Sequence, residues 1–246
     1  MRHMSNEGEL IATRTEIVML GTFDPNDALP EKLAAARTLT PEEASSAKLK
    51  SLMVAQIVEY ELEWGSVQSI PQRLIVKTTQ APFVRAADLA LKLARESPKT
   101  VVTMFGINRE YDYRFSSMAA RDTLGIRLSP PGSWGAWGIE VEKEMRETAG
   151  DKHPGLLAAT MRRVMPADRE AGWVDATVMA AGSATDVKVT VRINDHYAYS
   201  PEKDPENLSA DSHASSRTTR LLDTLFNNFD ESVKRSDVIA NGIIHT

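Results

Sequence analysis

Two short segments carry residue types that could do chemistry. The first is Asn194-Asp195-His196-Tyr197, where an acid and an imidazole leave an alternating apolar run together. A neutral imidazole with a pKa of about 6.5 can serve as a general base. The second is Asn108-Arg109, following Gly106-Ile107. A guanidinium there offers a bidentate fork to a carboxylate or phosphate. Taken together they outline an anion-binding or catalytic centre, with Arg109, Asn108 and Asn194 as ligand-binding residues and Asp195 and His196 as catalytic candidates. Each segment also has a plainer reading. Neighbouring strand residues point to opposite faces, so Asp195 and His196 converge only if the strand ends or bulges there. An Asn-Asp pair before an aromatic also suits a turn after a strand. Arg109 has Glu110, Asp112 or an acid of a neighbouring strand as ion-pair partners.

Other chemistries find less support. The histidines His3, His153, His196, His213 and His245 are scattered and lack the spacings that put two imidazoles on one ion, so no metal site is expected. No cofactor is expected either, because phosphate-loop, dinucleotide and nucleophile-elbow templates are absent. Basic residues gather weakly at Arg162-Arg163 and along Arg217, Arg220, Lys234 and Arg235, a pattern that usually marks a solvated face. Trp134 and Trp137 lie in the Gly/Pro-rich run Ser129 to Gly138 and either fold back onto the core or stand out as interface anchors.

Composition narrows the class. With 42% apolar and 26% charged residues over 246 positions, the chain can build a sizeable core. Without cysteine it has no disulfide, thiolate metal site or cysteine nucleophile. The formal net charge of -5 argues against broad phosphate-backbone contact, so nucleic acid is an unfavoured partner. No stretch reads as a secretory signal or a membrane span, which predicts a cytoplasmic protein with no membrane association.

The elements that must position these residues read as follows. Thr15 to Leu20 is rich in β-branched types and forms a strand. Thr40-Pro41-Glu42-Glu43 opens a short helix. Val58, Tyr60, Leu62 and Trp64 alternate with Glu59, Glu61 and Glu63, the period of an antiparallel strand with one wet face. Gly65-Ser66 reads as a break, and Gln72 to Thr79 as the next strand. A helix with Ala86, Leu89, Ala90 and Leu93 on one stripe follows Pro82 and ends at Ser97-Pro98. Thr100 to Phe115 is one long strand, or two broken near Gly106. A short helix covers Met118 to Leu124, and the Gly/Pro-rich run after it reads as irregular. Trp173 to Ala181 and Asp186 to Tyr197 form a hairpin. Leu221, Leu222, Leu225, Phe226, Phe229 and Val233 mark a last helix. The expected fold is therefore α+β: one domain over 1–246, with a mainly antiparallel sheet of five to seven strands covered on one face by helices. Residues 1–12 are expected to be disordered and 200–214 to form a long surface loop.

Gly106-Ile107-Asn108-Arg109, Leu128-Ser129-Pro130, Pro154-Gly155 and Ile193 to Tyr197 together resemble the pattern of a group of bacterial proteins of similar length. The resemblance implies a shared fold and a bacterial setting, and it supplies no activity, cofactor or catalytic residue. A patterned sheet with large polar loops and no recognised reaction centre fits a non-catalytic subunit or adaptor that binds protein, either itself or a partner. The alternative is a small-anion binder or enzyme using Arg109 with Asp195 and His196.

Overall fold

The structure, a computed structural model, describes residues 8–54, 56–97, 99–147, 154–164, 171–181, 187–200 and 210–245, with only the backbone at Ala181, Ala210, Asp211 and His213. Its frame is one antiparallel sheet of nine strands. In chain order these are β1 (Glu9–Thr22), β2 (Lys48–Met53), β3 (Ile57–Leu62), β4 (Gly65–Ile70), β5 (Arg73–Thr78), β6 (Val101–Arg114), β7 (Ala158–Val164), β8 (Ala171–Ala181) and β9 (Lys188–Ala198). In space the order is β2-β3-β4-β5-β1-β6-β9-β8-β7. The two longest strands, β1 and β6, therefore lie side by side at the centre, and β2 and β7 form the edges.

The α+β class and the antiparallel sheet agree with the sequence pattern, but the strand count exceeds the expected five to seven. β4 is one of the additional strands. Gly65 begins it, paired with Leu62 across the two-residue connection Glu63-Trp64. A Cβ on Gly65 would lie 2.1 Å from the Lys77 carbonyl oxygen, so close approach of β5 requires the glycine that had read as a break. β2 is another: α2 (Pro41–Ser46) is closed by a Thr40/Glu43 capping box and ends before Lys48, leaving the K-L-K run to pair with β3. The edge strand β7 is a third.

β1 starts at Glu9, because Glu9 and Leu10 find ladder partners in Arg114 and Tyr113. Residues 8–12 are thus ordered by pairing, contrary to the expectation for 1–12, while residues 1–7 lie outside the described residues. Gly106 does not break β6, whose pairing with β9 runs without a shift from Met104 to Arg114.

Helices lie on one face. Besides α2 these are α1 (Pro30–Ala35), α3 (Val84–Glu96), α4 (Met118–Leu128), α5 (Gly135–Glu147) and α6 (Ala210–His245). α3 rests on β1 and β5, and α6 crosses β6 and β9 while touching α3. α6 begins at Ala210, so the expected loop 200–214 is partly helical, and its residues 201–209 lie outside the described residues. Nor is the tryptophan-bearing run irregular: Pro131–Trp134 makes a 3-10 turn and Gly135 starts α5.

The covered face holds two apolar clusters. One gathers Ile17, Tyr60, Val76, Leu89, Phe105, Ile107 and the Leu221–Phe229 part of α6. The other gathers Tyr111, Tyr113, Leu124, Val191, Ile193 and the Ala240–Ile244 end of α6. The opposite sheet face has no helix on it among the described residues and carries cross-strand pairs such as Lys77–Glu16 at 2.9 Å and Arg192–Glu110 at 2.6 Å. That face is the wet layer foreseen from the two-residue period.

Leu225 is fully buried and Phe226, its neighbour, is largely exposed. Leu225→Ala is expected to cost roughly 2–5 kcal/mol, and Phe226→Ala less than about 0.5 kcal/mol. Urea unfolding midpoints at unchanged slope check the pair; equal losses would place α6 differently on the sheet.

Candidate functional site

The pairing of β6 with β9 sorts the candidate residues. Asn108 lies opposite Asn194, Gly106 opposite His196, Ile107 opposite Asp195 and Arg109 opposite Ile193. Because side chains alternate along a strand, Arg109 and Asp195 point to the helix-covered face, and Asn108, Asn194 and His196 to the open one. β9 continues without a bulge through Ala198, so nothing brings Asp195 and His196 to one side.

On the covered face, Arg109 is buried and its fork is already filled. Its Nη1 donates to Thr15 Oγ1 at 2.6 Å, its Nε to the Tyr111 hydroxyl at 3.3 Å and its Nη2 to Asp237 Oδ1 at 3.2 Å. The Phe83 ring lies 4.4 Å from the guanidinium carbon. The Tyr111 hydroxyl also donates to Asp237, at 2.6 Å. Burial, followed by that hydrogen bond to a carboxylate, pushes the Tyr111 pKa up, so the phenol keeps its proton. Asp195, fully buried, accepts from Arg235 Nη1 at 3.0 Å and from the Tyr197 hydroxyl at 3.3 Å. Ser232 and Ser236 of α6 are buried alongside, and their hydroxyl oxygens have no hydrogen-bond partner among the described residues.

These residues form a polar belt between the two apolar clusters. Asp237 and Arg235 come from α6; sequence reading missed Asp237 and placed Arg235 on a solvated face, whereas it reaches in to the buried Asp195 carboxylate. The available signal was the helix stripe itself: continued past Val233 at three- and four-residue steps it meets Ser236 and Asp237 before Ala240 and Ile244. A polar interruption of a buried stripe calls for polar partners on the sheet.

On the open face, the His196 ring stacks on Trp173 with centroids 3.9 Å apart. Trp173 Nε1 donates to Asp175 Oδ2 at 3.1 Å, and Arg162 grips the same carboxylate through two hydrogen bonds of 2.7 and 2.8 Å. That Arg162 grip, only partly offset by burial, holds the Asp175 carboxyl below the usual range. Asn108 and Glu110 help line a recess of about 700 Å³ on this face. Its charges are largely matched in place, since Arg14 contacts both Glu110 and Asp112 while Lys77 and Arg192 pair as above. The expected centre of Arg109 with Asp195 and His196 therefore does not form. Arg109 and Asp195 are held by separate acids and bases of α6, and His196 stands on the other side of the sheet. No cluster of three or more potential metal-ligating side chains occurs among the described residues; His3 and His153 lie outside them, as does the side chain of His213.

The remaining candidates behave differently. Trp134 and Trp137 do not fold onto the core. They stand 57% and 63% exposed at the start of α5, rings 5.9 Å apart, with Trp134 Nε1 donating to Ser129 Oγ at 2.8 Å. Beside them, Leu157 and Met161 are 77% and 78% exposed. Trp134, Trp137, Ile126 and Leu157 border a depression of about 240 Å³. One step further along β7, Ala159 and Met161 border a groove of about 730 Å³ whose floor is Val174, Ala176 and Val178 of β8 and whose far wall is Val238, Ile239 and Ile243 of α6. The two depressions meet at Leu157–Ala159. They form one apolar surface running from α5 across β7 to α6.

Asp195→Ala leaves the Arg235 guanidinium without its buried carboxylate and is expected to destabilise the protein by roughly 3 kcal/mol. Asp195→Ala with Arg235→Met is expected to recover part of that loss, and strict additivity in thermal unfolding would show that the two do not interact. Asp175 has a depressed folded pKa, so its stabilising effect is complete above the unfolded value of about 3.9 and disappears as the pH falls through the folded one. Asp175→Asn should therefore lose less stability than the parent between about pH 6 and pH 3; identical acid limbs in urea melts would show that the Arg162–Asp175 pair adds nothing. No protein-family model matches the chain, and a search of curated proteins finds no match.

Proposed function

We propose that the chain is a protein-binding subunit or adaptor of a bacterial cytoplasmic assembly, working by contact rather than catalysis, and that the surface from α5 across β7 to α6 is its docking face. One observation carries this reading: large apolar side chains stand exposed and adjacent on that surface, among them Trp134, Trp137, Leu157, Met161 and Val238. Single exposed apolar residues are ordinary, whereas contiguous apolar surface with tryptophan at its centre is typical of protein interfaces, where Trp supplies much of the binding energy. The ion pairs of buried Arg109 with Asp237 and of buried Asp195 with Arg235 support a structural role for these two residues, which had suggested chemistry. Among the described residues, no helix is long and apolar enough to cross a membrane.

Native mass tests the proposal. In extracts of its source cells, the 27.1 kDa chain is expected to elute within a larger complex, as a self-assembly or with a stoichiometric partner. Trp134→Ser with Trp137→Ser should release it while leaving its unfolding midpoint within about 0.5 kcal/mol of the parent, since both side chains are exposed. A chain that runs as a monomer both in extract and purified, or a double variant that assembles like the parent, refutes the assignment.

A further inference from the structure

Within the protein-binding reading, on which this step rests, the groove beside β7 has an edge that no described residue covers. Among the described residues β7 pairs only with β8, and its backbone polarity can be phased. The Ala180 amide donates to the Leu157 carbonyl oxygen at 3.0 Å. In an antiparallel ladder, bonded and non-bonded pairs alternate, so Ala159, Met161 and Arg163 bond inward to β8. Ala158, Thr160, Arg162 and Val164 consequently turn their N–H and C=O groups outward. β7 contains no proline and no bulge in its pairing with β8, two of the devices that blunt exposed edges.

The side chains select the occupant. Ala159, Met161 and Arg163 project to the groove side, and the far wall brings Lys234 and Arg235 together with one acid, Glu231. Arg235 is committed to Asp195, whereas Arg163 and Lys234 form no ion pair among the described residues. The groove thus combines an apolar floor with a net cationic rim. Two copies of this chain fit poorly edge to edge, because β7 carries Arg162 and Arg163 and β2 carries Lys48 and Lys50, which sets cationic strands alongside one another.

We propose that β7 accepts an extended segment of a different protein as a tenth strand, and that every second residue of this segment faces the groove, an apolar one packed over Met161 and an acidic one meeting Arg163 and Lys234. Backbone hydrogen bonds to Thr160 and Arg162 supply affinity, and the groove supplies selectivity, as in other cases of strand addition.

A short acetylated and amidated peptide in which threonines alternate with groove-facing residues, first valine and then glutamate, is the probe, with the same peptide carrying lysine in place of glutamate as its control. Hydrogen exchange of the full chain is expected to show fast Thr160 and Arg162 amides in the free protein, slowed roughly ten-fold when the peptide is present at ten times its Kd. Thr160→Pro removes one outward N–H without taking a bond from the β8 ladder and should abolish binding, while Thr160→Ala retains it. Arg163→Glu with Lys234→Glu, both surface changes, should transfer preference to the lysine-bearing peptide. Equal binding of both peptides, protection of the Thr160 and Arg162 amides before peptide is added, or full binding by a folded Thr160→Pro variant overturns strand addition. If those results occur while the tryptophan double variant still lowers the native mass, only strand addition fails; if the tryptophan variant also changes nothing, the protein-binding reading falls with it.

Discussion

The sheet is wider than the helices laid over it. Nine strands at about 4.8 Å spacing span roughly 38 Å, and one helix with its side chains covers about 10–12 Å. α3 and α6 lie over β5, β1, β6 and β9, with α4 filling in near Tyr113 and Val189. Coverage gives out beyond β8, and there Met161 is left facing solvent. The apolar groove follows from that shortfall: Val174 and Val178 of β8 are still buried in the second apolar cluster, but no described element closes over Met161 beyond them.

Where coverage is complete, polarity is managed by pairing. A buried guanidinium and a buried carboxylate, Arg109 and Asp195, lie on neighbouring central strands and are each answered from α6, by Asp237 and Arg235. Desolvating the Arg109 guanidinium and the Asp195 carboxylate is expensive, and replacing buried pairs by apolar residues is often neutral or stabilising. Their presence between two apolar clusters therefore contributes little net stability. Its structural effect is to divide the core along the length of α6.

Much of the sheet was legible because one face is wet. Tyr60 and Leu62 against Glu59 and Glu61, or Val189 and Val191 against Arg192, reveal strand and inward side at once. The strands that escaped lack that contrast. In β4 the inward positions are Val67 and Ser69 with Gly65, so glycine required by the Lys77 carbonyl resembled punctuation. In β2 and β7 most side chains are exposed on either side, and an edge strand has no buried half to produce a two-residue period. At the site, the expected grouping was not legible, since strand alternation separates His196 from Asp195 and the partners of Arg109 and Asp195 reside some forty to a hundred and thirty positions away, at Asp237 and Arg235. The exposure of Trp134 and Trp137 depended on α5 beginning at Gly135, directly after a proline-led turn, which short-range composition does not reveal.

The two ion pairs also fix how α6 can seat. An apolar stripe alone tolerates sliding, because leucine packs against valine or isoleucine with similar ease. Here, moving the helix by one turn would bring Val233 or Asn241 to the Arg109 guanidinium in place of Asp237, and Glu231 or Ile239 to the Asp195 carboxylate in place of Arg235. Each displacement leaves at least one buried charge without its counter-ion. The axial position of α6 is thereby held to a single notch, and with it the placement of Val238 and Ile239 along the wall they share with β7.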